Sequence, residues 1–453
     1  MGILSSRALM GRTPTAGEVL SNGVLLDLVR YPNTGHVGIL VWARTEPKVG
    51  REITFAGKTY IPPNVDPTVL AALQLPSSYG LSAAPPTREL FRDVCRQLAQ
   101  CTALPEGSLH QVAYFIFATW LADRIPVAPF LWVAAPSAAQ GSEFLRLLAL
   151  FCRRSLLLSA DSTAALWTLP MFLRPTLLLD GAELTAAMQK FLHASNSKGI
   201  HCVKRGQALD LYCAKAICSQ DSLRDPALAD FALQISLPPR PAQLPALTEE
   251  ASKAIANTFQ TKLLGYRLAH FQQVGTADID VQGLTSSTQV LARSLAACIL
   301  GDKKLQSEVV PLLRDQNRET TDERSAGLES VILEALLHCC HEGDRSTVRG
   351  AELAEAANTI LLRKGDRLQV SPETVGWKLR YLRFRTERIG SRGNGLWLLD
   401  DVRRRIHSLA GEYGVPLDPQ GAIQGCPHCS NSIGEGQFAA GEGEKRPEDL
   451  SEV

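Results

Sequence analysis

The sequence predicts an α/β protein: a core built on a parallel sheet, a small β-rich module ahead of it and a mainly helical region behind it. Three observations carry that prediction. The stretch LWVAAPSAAQGSEFLRLLALFCRRSLLLS, starting at Leu131, runs strand, loop, helix, strand. Further on, RPTLLLDGAEL supplies another strand that ends at Asp180. Both strands are apolar on both faces, as buried parallel strands are. Finally, PPRPAQLP marks a plain boundary, after which the pattern turns helical.

A chain of 453 residues is expected to hold roughly two to four domains. The formal net charge is only +1, so any nucleic-acid surface must be local. The eleven cysteines follow no regular framework, and MGILSSRALMG lacks the apolar core of a secretory signal. A cytoplasmic location with free, packed thiols is expected. Gly2 and Ser6 fit a short myristoylation pattern that also matches often by chance. No apolar run is long enough to span a membrane, and no membrane partner is expected.

Taken in order, residues 1–62 read as a small β-rich module. GVLLDLVRYP, HVGILVWAR and REITFAGKTYIPP are short Val/Ile/Leu/Tyr-rich runs broken by Pro32, Asn33, Gly35, Pro47, Gly50 and Gly57. The alternative is a sheet extension of the next domain. Residues 63–86 are Pro-rich and read as a linker with a short helix at most. In TRELFRDVCRQLAQC, Leu90, Phe91, Val94 and Leu98 fall at helical spacing. SLHQVAYFIFATWLAD is nearly apolar throughout and predicts a deeply buried helix.

The core, 87–240, then takes PFLWVAA as a strand, FLRLLALFCRR as a helix and RSLLLS as a strand. Asp161 and Ser162 are expected to cap a short helix. RPTLLLD is a strand, AELTAAMQKFLHASN a helix, and IHCVKR, LDLYCAKAICS and ADFALQISLPP further strands. Residues 247–313 read as a helical subdomain and the polar run 314–327 as a linker. Within 328–413, LESVILEALLHCCHE, GAELAEAANTILLRKG and SPETVGWKLRYLRF read as three helices, the third opened by Ser371 and Pro372. RTERIGSRGNGLWLLD reads as a hairpin turning at SRGNG through Asn394-Gly395, and DDVRRRIHSLAGEYG as a closing helix. Three helices and a hairpin make a winged-helix layout. The Gly-, Pro- and acid-rich tail 414–453 is expected to be disordered apart from CPHC.

Strand, loop, helix and a second strand ending in an acid form the layout of a P-loop NTPase-like core, with its strands side by side and parallel. A working site wraps phosphates in a Gly-rich loop, reaches them with a lysine and holds Mg²⁺ with a Ser or Thr. Laid without gaps on this loop, G-x-x-x-x-G-K-[ST] puts Ala135 and Gln140 at the glycines, Gly141 at the lysine and Ser142 at the hydroxyl. No lysine occurs between Lys58 and Lys190 to stand in locally.

The combination LFRDVCRQLAQ…VAYFIFATWLAD…VAPFLWV…FLRLLALFCRRSLLLS…RPTLLLDGAEL…CAKAICSQDSLRDPALAD resembles the P-loop, AAA+ or helicase-like ATPases associated with primases and helicases of mobile elements and phages. The resemblance covers roughly residues 85–240, and the C-terminal region looks like the tail often attached to that core. It implies a loop of the form G-P-P-G-S-G-K-S and a second strand ending D-E-A-D. Against that pattern Ser142 and Asp180 survive as Mg²⁺-site positions. Gly141 replaces the lysine, Gly181 the water-orienting glutamate, Phe231 a transition-state arginine, and Ala135, Ala138 and Gln140 the glycines. Phosphoryl transfer rests on positioning and charge stabilisation, so ATP and Mg²⁺ turnover is not expected. The plainer readings are that Ser142 caps a helix and that Asp180 hydrogen-bonds the loop.

Lys378, Arg380, Arg383, Arg385, Arg388, Arg392, Arg403, Arg404 and Arg405 form a local basic excess over the third helix, the wing and the closing helix. They are candidates for phosphate contacts to DNA, with a solvated face for protein binding as the alternative. Trp377, Leu379 and Leu382 read as the packed side of the third helix. Cys426 and Cys429 form half of a zinc site, which needs four ligands. Partners could be a second CPHC loop or the His338-Cys339-Cys340-His341 cluster; an exposed thiol pair is the other reading. The sequence therefore predicts a non-hydrolysing ATPase-like scaffold that binds DNA, with other replication or mobile-element proteins as partners. The alternatives are an active helicase-like motor supplied with a cation in trans, and an adaptor without a nucleic-acid role.

Overall fold

The structure, a computed structural model, describes residues 12–415 except 44–46, 81–83, 160–165, 182–183, 205, 222, 224, 326, 343–344, 367 and 390–392, and beyond them Cys426, His428 and Cys429. Two compact units result, Met1–Asn317 and Arg318–Val453. No described helix is long and apolar enough to cross a membrane.

The first unit opens with six strands: β1 (Arg12–Pro14), β2 (Leu25–Arg30), β3 (Val37–Trp42), β4 (Lys48–Gly50), β5 (Ile53–Phe55) and β6 (Lys58–Ile61). They form the sheets β2-β3-β4 and β1-β6-β5. The stretch read as a linker carries helix α1 (Pro67–Ala72), capped by Asp66, and buries Leu73 and Leu75. Its Gln74 N–H donates to the carbonyl of Ser155 (3.0 Å).

The central sheet follows α2 (Thr87–Cys101) and α3 (Glu106–Leu121). Its strands are β7 (Phe130–Ala134), β8 (Ser155–Ser159), β9 (Thr176–Asp180), β12 (Lys215–Ser219) and β13 (Leu233–Ser236); β10 (His201–Lys204) and β11 (Gln207–Asp210) form a separate hairpin. The order is β13-β7-β12-β9-β8, and every pairing is parallel. Thus β7 and β9 are parallel but not adjacent as expected. The chain leaving β9 returns into the gap beside β7, where Ala216, Ile217 and Cys218 of β12 are buried between neighbours on both sides.

Alternation of side chains splits the sheet into two apolar faces. Leu131 and Val133 pack with Phe144 and Leu145 of α4 (Ala138–Ala149), with α2 and α3, and with the Glu249–His270 and Ser286–Ala297 helices. Phe130 and Trp132 pack instead with Met188 and Phe191 of the Ala186–Ala194 helix and with Leu228. The connection leaving β7 therefore climbs one face, and those leaving β9 and β12 climb the other. That makes the carboxyl end of β7, beside β12, the topological switch point where open α/β sheets bind ligands.

The polar run read as a linker at 314–327 is helical as far as Ser325, within a helix spanning Val309–Ser325. Val309, Val310 and Leu313 anchor that helix in the core, and Arg, Gln and Glu are good helix formers that carry it onward. Its Gln316 side chain accepts from Gln234 N (3.0 Å) and donates to Ala232 O (2.7 Å), alongside β13.

The second unit holds helices Leu328–His341, Gly350–Arg363, Pro372–Tyr381 and Asp400–Glu412 around its own core. Ser371 caps the third of these through Thr374 N (3.3 Å). Strand β14 (Thr347–Arg349), which the sequence reading missed, joins β15 (Glu387–Arg388) and β16 (Asn394–Trp397) in the antiparallel order β14-β16-β15. Asn394 and Gly395 lie in β16 rather than in the turn. Gly393 takes the positive φ (+116°), and Gly395 is required because a Cβ there would sit 2.2 Å from Val348 O of β14. The expected capping by Asp161 and Ser162 lies outside the described residues.

One buried network joins the first strands to the core. Asp27 of β2 lies on the face that carries Leu25 and Val29. It accepts from Arg153 (2.9 Å), from Arg154 and from Arg267 (3.0 Å), and Arg267 also holds Asp123 (2.7 Å) and the carbonyl of Trp120 (2.6 Å). Burial alone pushes the Asp27 carboxyl up, but Arg153, Arg154 and Arg267 together hold it well below the usual carboxylate range. Its contribution to stability is thus complete above about pH 4, where the unfolded carboxyl is also ionised, and is lost as pH falls further. Asp27→Asn should lower the unfolding free energy at pH 7 by about 3–5 kcal/mol, because it strands buried guanidinium groups. In urea titrations the difference from wild type should narrow below about pH 4.

Candidate functional site

Only three residues, Ala135, Pro136 and Ser137, separate β7 from α4. The loop expected to reach Ser142 is therefore half helix: SAAQ supplies an N-cap and helix formers where a phosphate cradle needs glycines. Ser137 is the N-cap, accepting from Gln140 N (3.3 Å) at its side chain and from Gly141 N (3.0 Å) at its carbonyl. Ala135 N donates to Ser219 O at the end of β12 (2.8 Å). The N–H groups of all three are thereby committed within the protein. The Gln140 side chain turns away and donates to Pro238 O (2.5 Å).

Gly141 stands at the position of the lysine and is buried where α4 crosses β12. A Cβ there would lie 2.2 Å from Cys218 Sγ and 3.3 Å from Ala135 Cβ. The glycine is needed for close helix–strand contact, and a longer side chain has no path out of it. Ser142 donates to Asp180 Oδ2 (2.5 Å), so these two surviving positions do meet, and Ser142 does not cap the helix. Gly181 follows at φ +64°, with open space around its Cα. Near the helix start, Arg240 pairs with Glu143 and donates to Pro245 O (2.6 Å), while Arg146 is exposed. Among the described residues, no Lys or Arg forms an ion pair with Asp180.

The basic residues of the second unit divide into two groups. Arg380, Arg383, Arg385 and Arg388 are exposed on or after the Pro372–Tyr381 helix, Arg385 beside Glu387 (3.3 Å). The others have partners inside the unit. Lys378 pairs with Glu329 (2.5 Å), and Arg404 with Asp400 (3.0 Å). Arg405 donates to Leu382 O (3.1 Å) and lies over the Phe384 ring. Arg403 donates to the carbonyls of Leu398, Cys340 and Arg345, which closes the unit. Arg392 lies outside the described residues. Leu379 and Leu382 are buried as expected, but Trp377 is 73% exposed, and Tyr381, one turn on, 53%. Nothing in the sequence pattern of that helix marked Trp377 as outward. Cys426 and Cys429 come close to His341 and His407; His407 was not among the expected partners.

No family model matches the chain, and no curated protein matches it. Among solved structures it is similar to the apo C-terminal region of NrS-1 (residues 305–718), at 13% identity over 82% of this chain and 96% of that one, with a TM-score of 0.31. It is also similar to Cdc6p from Pyrobaculum aerophilum (12% identity, 77% and 98% of the two chains, TM-score 0.18). A third likeness is to Drosophila ORC bound to DNA (12% identity, 73% and 88%, TM-score 0.18). At such low scores and identities these likenesses carry no weight for function.

The contact at Gly141 sets two effects against each other. Alanine is the better helix former by about 1 kcal/mol, but overpacking against Cys218 costs about 1–3 kcal/mol. Gly141→Ala should therefore destabilise the wild-type chain, and in a Cys218→Ala background the same change should become neutral or stabilising. Urea unfolding of the four chains checks the change of sign.

Proposed function

We propose that this chain is a DNA-binding protein of the mobile-element or phage replication type, whose first unit keeps the shape of a P-loop ATPase without its phosphate chemistry. The observation that carries the reading is Gly141 pressed against Cys218, at the position where the phosphate-binding lysine would stand. Support comes also from the three-residue loop, from the Ala135 N–H bonded to Ser219 and the Gln140 and Gly141 N–H groups bonded to Ser137, and from the switch-point location that such a site occupies. Ser142 and Asp180 keep a hydrogen bond, but without a cation or a water-orienting acid they cannot stabilise a transferring phosphoryl group.

DNA binding is assigned to the second unit. Helix, strand, helix, helix and a two-stranded wing make a winged-helix arrangement, with Pro372–Tyr381 as its groove helix. Arg380, Arg383, Arg385 and Arg388 supply phosphate contacts that carry no sequence information. Trp377 and Tyr381, four residues apart, share one face of the groove helix and offer apolar contact to the groove.

The full chain should bind duplex DNA with an affinity that falls steeply with salt. Replacing both Arg380 and Arg388 with alanine should reduce the slope of log affinity against log salt by about two, whatever the DNA sequence. Arg403→Ala should act differently, lowering the unfolding midpoint. Absence of salt-dependent binding to duplex DNA would overturn this assignment in favour of the adaptor reading. Mg²⁺-ATP hydrolysis should not rise above the buffer rate; turnover abolished by Asp180→Ala would overturn the proposal in favour of a motor.

A further inference from the structure

We propose that His341, His407, Cys426 and Cys429 form a tetrahedral zinc site that fastens the segment after Val415 onto the helices of the second unit. His341 is the last residue of the Leu328–His341 helix, and His407 lies in the middle of Asp400–Glu412. Cys426 and Cys429 flank a turn closed by Cys429 N donating to Cys426 O (3.2 Å).

The donor atoms converge. Cys426 Sγ lies 3.4 Å from His407 Nε2, Cys429 Sγ 3.4 Å from His341 Nε2, and the two Nε2 atoms 3.0 Å apart. All four ligand atoms lie within 4.8 Å of one another. Zinc bonded to two sulfurs and two imidazole nitrogens at ordinary lengths would set these edges at roughly 3.3–3.8 Å. The cluster thus needs only small adjustments to close around an ion, and a two-thiolate, two-imidazole set suits zinc in a closed structural site.

The surroundings prepare the ligands. His407 Nδ1 lies 2.7 Å from Arg403 O. A carbonyl can only accept, so Nδ1 carries the proton and Nε2 turns its lone pair toward the cluster, the arrangement that orients metal-bound histidines. The Arg403 guanidinium bonds Cys340 O (2.6 Å), near the end of the helix that carries His341, and so fixes the two histidine-bearing helices against each other. His428, although inside the C-P-H-C stretch, is not among the converging ligand atoms: its ring lies against that of His407 (5.5 Å between centroids) and its Nε2 pairs with Asp400 (3.1 Å). Two of the four ligands thus stand on packed helices, and the other two come from one short hydrogen-bonded stretch.

The full-length chain, purified from zinc-supplemented cells and dialysed, should carry about one zinc per chain by elemental analysis. His407→Ala and Cys429→Ser should each reduce that to less than about a tenth, while His428→Ala keeps the full equivalent. Ligand variants can misfold, so the wild-type chain gives a second readout. Exchange of zinc for cobalt should produce the intense visible bands of tetrahedral coordination together with a thiolate-to-cobalt charge-transfer band. A chain that takes up no stoichiometric zinc, a cobalt spectrum of octahedral type, or metal lost as fully in His428→Ala as in His407→Ala would each overturn the assignment.

Discussion

Asp27 is the charge on which the first unit is assembled. Its carboxylate gathers Arg153 and Arg154 from the turn before β8 and Arg267 from the Glu249–His270 helix, and Arg267 brings in Asp123 from the short Ala122–Arg124 turn after α3. Taking such groups out of water is expensive, and apolar residues of the same volume would often be as stable. Specificity is the more plausible gain. In β2, Leu26 and Leu28 face one apolar cluster while Leu25 and Val29 face another, with Asp27 between the latter two. Sliding β2 by one residue would turn the carboxylate into a wholly apolar cluster and strand three guanidiniums. The network therefore sets the register in which the first sheet meets the core. Gly17 belongs to the same arrangement: at φ +109° it passes so close to Arg154 and to Leu26 O that no side chain fits.

At the carboxyl end of the central sheet the chain is organised by close packing and by hydrogen bonds within the protein. A phosphate cradle holds backbone N–H groups open and waiting. Here the Gln140 and Gly141 N–H groups belong to a helix cap, the Ala135 N–H extends a strand, and the Ser142 hydroxyl bonds the Asp180 carboxylate. Cys218 and Gly141 interlock where charge would otherwise be needed.

Local signals were legible in the sequence: the apolar runs of β7, β9 and β12, the Ser371-Pro372 helix start, and the separation of the C-terminal helices from the rest. The meeting of Ser142 with Asp180 also followed from position alone. Hidden features depended on distance along the chain or on direction around a helix. Asp27 and Arg267 are far apart in sequence, and a lone Asp in a β run reads as a surface residue. His407 sits in a basic helix with no spacing that ties it to Cys426. The outward turn of Trp377 depends on which neighbours bury Leu379. The run read as a linker at 314–327 contains the division between the two units, but polarity did not show that it is helical as far as Ser325, since a helix can continue through polar residues once its first turn is anchored. In the hairpin, Asn-Gly drew attention to the wrong dipeptide, since Gly395 is needed for contact with β14 rather than for a turn.

The glutamine side chain that lies along β13 has a further effect. An open parallel sheet leaves rows of backbone groups at its outermost strands, and these invite another polypeptide to add itself. On one margin, Gln316 presents an amide that copies a neighbouring peptide unit, giving one bond and taking one. On the other, Gln74 places its N–H on β8. At these points the lateral growth of the sheet is stopped by single residues, so copies of this protein can crowd together without zipping into a continuous ribbon through those positions.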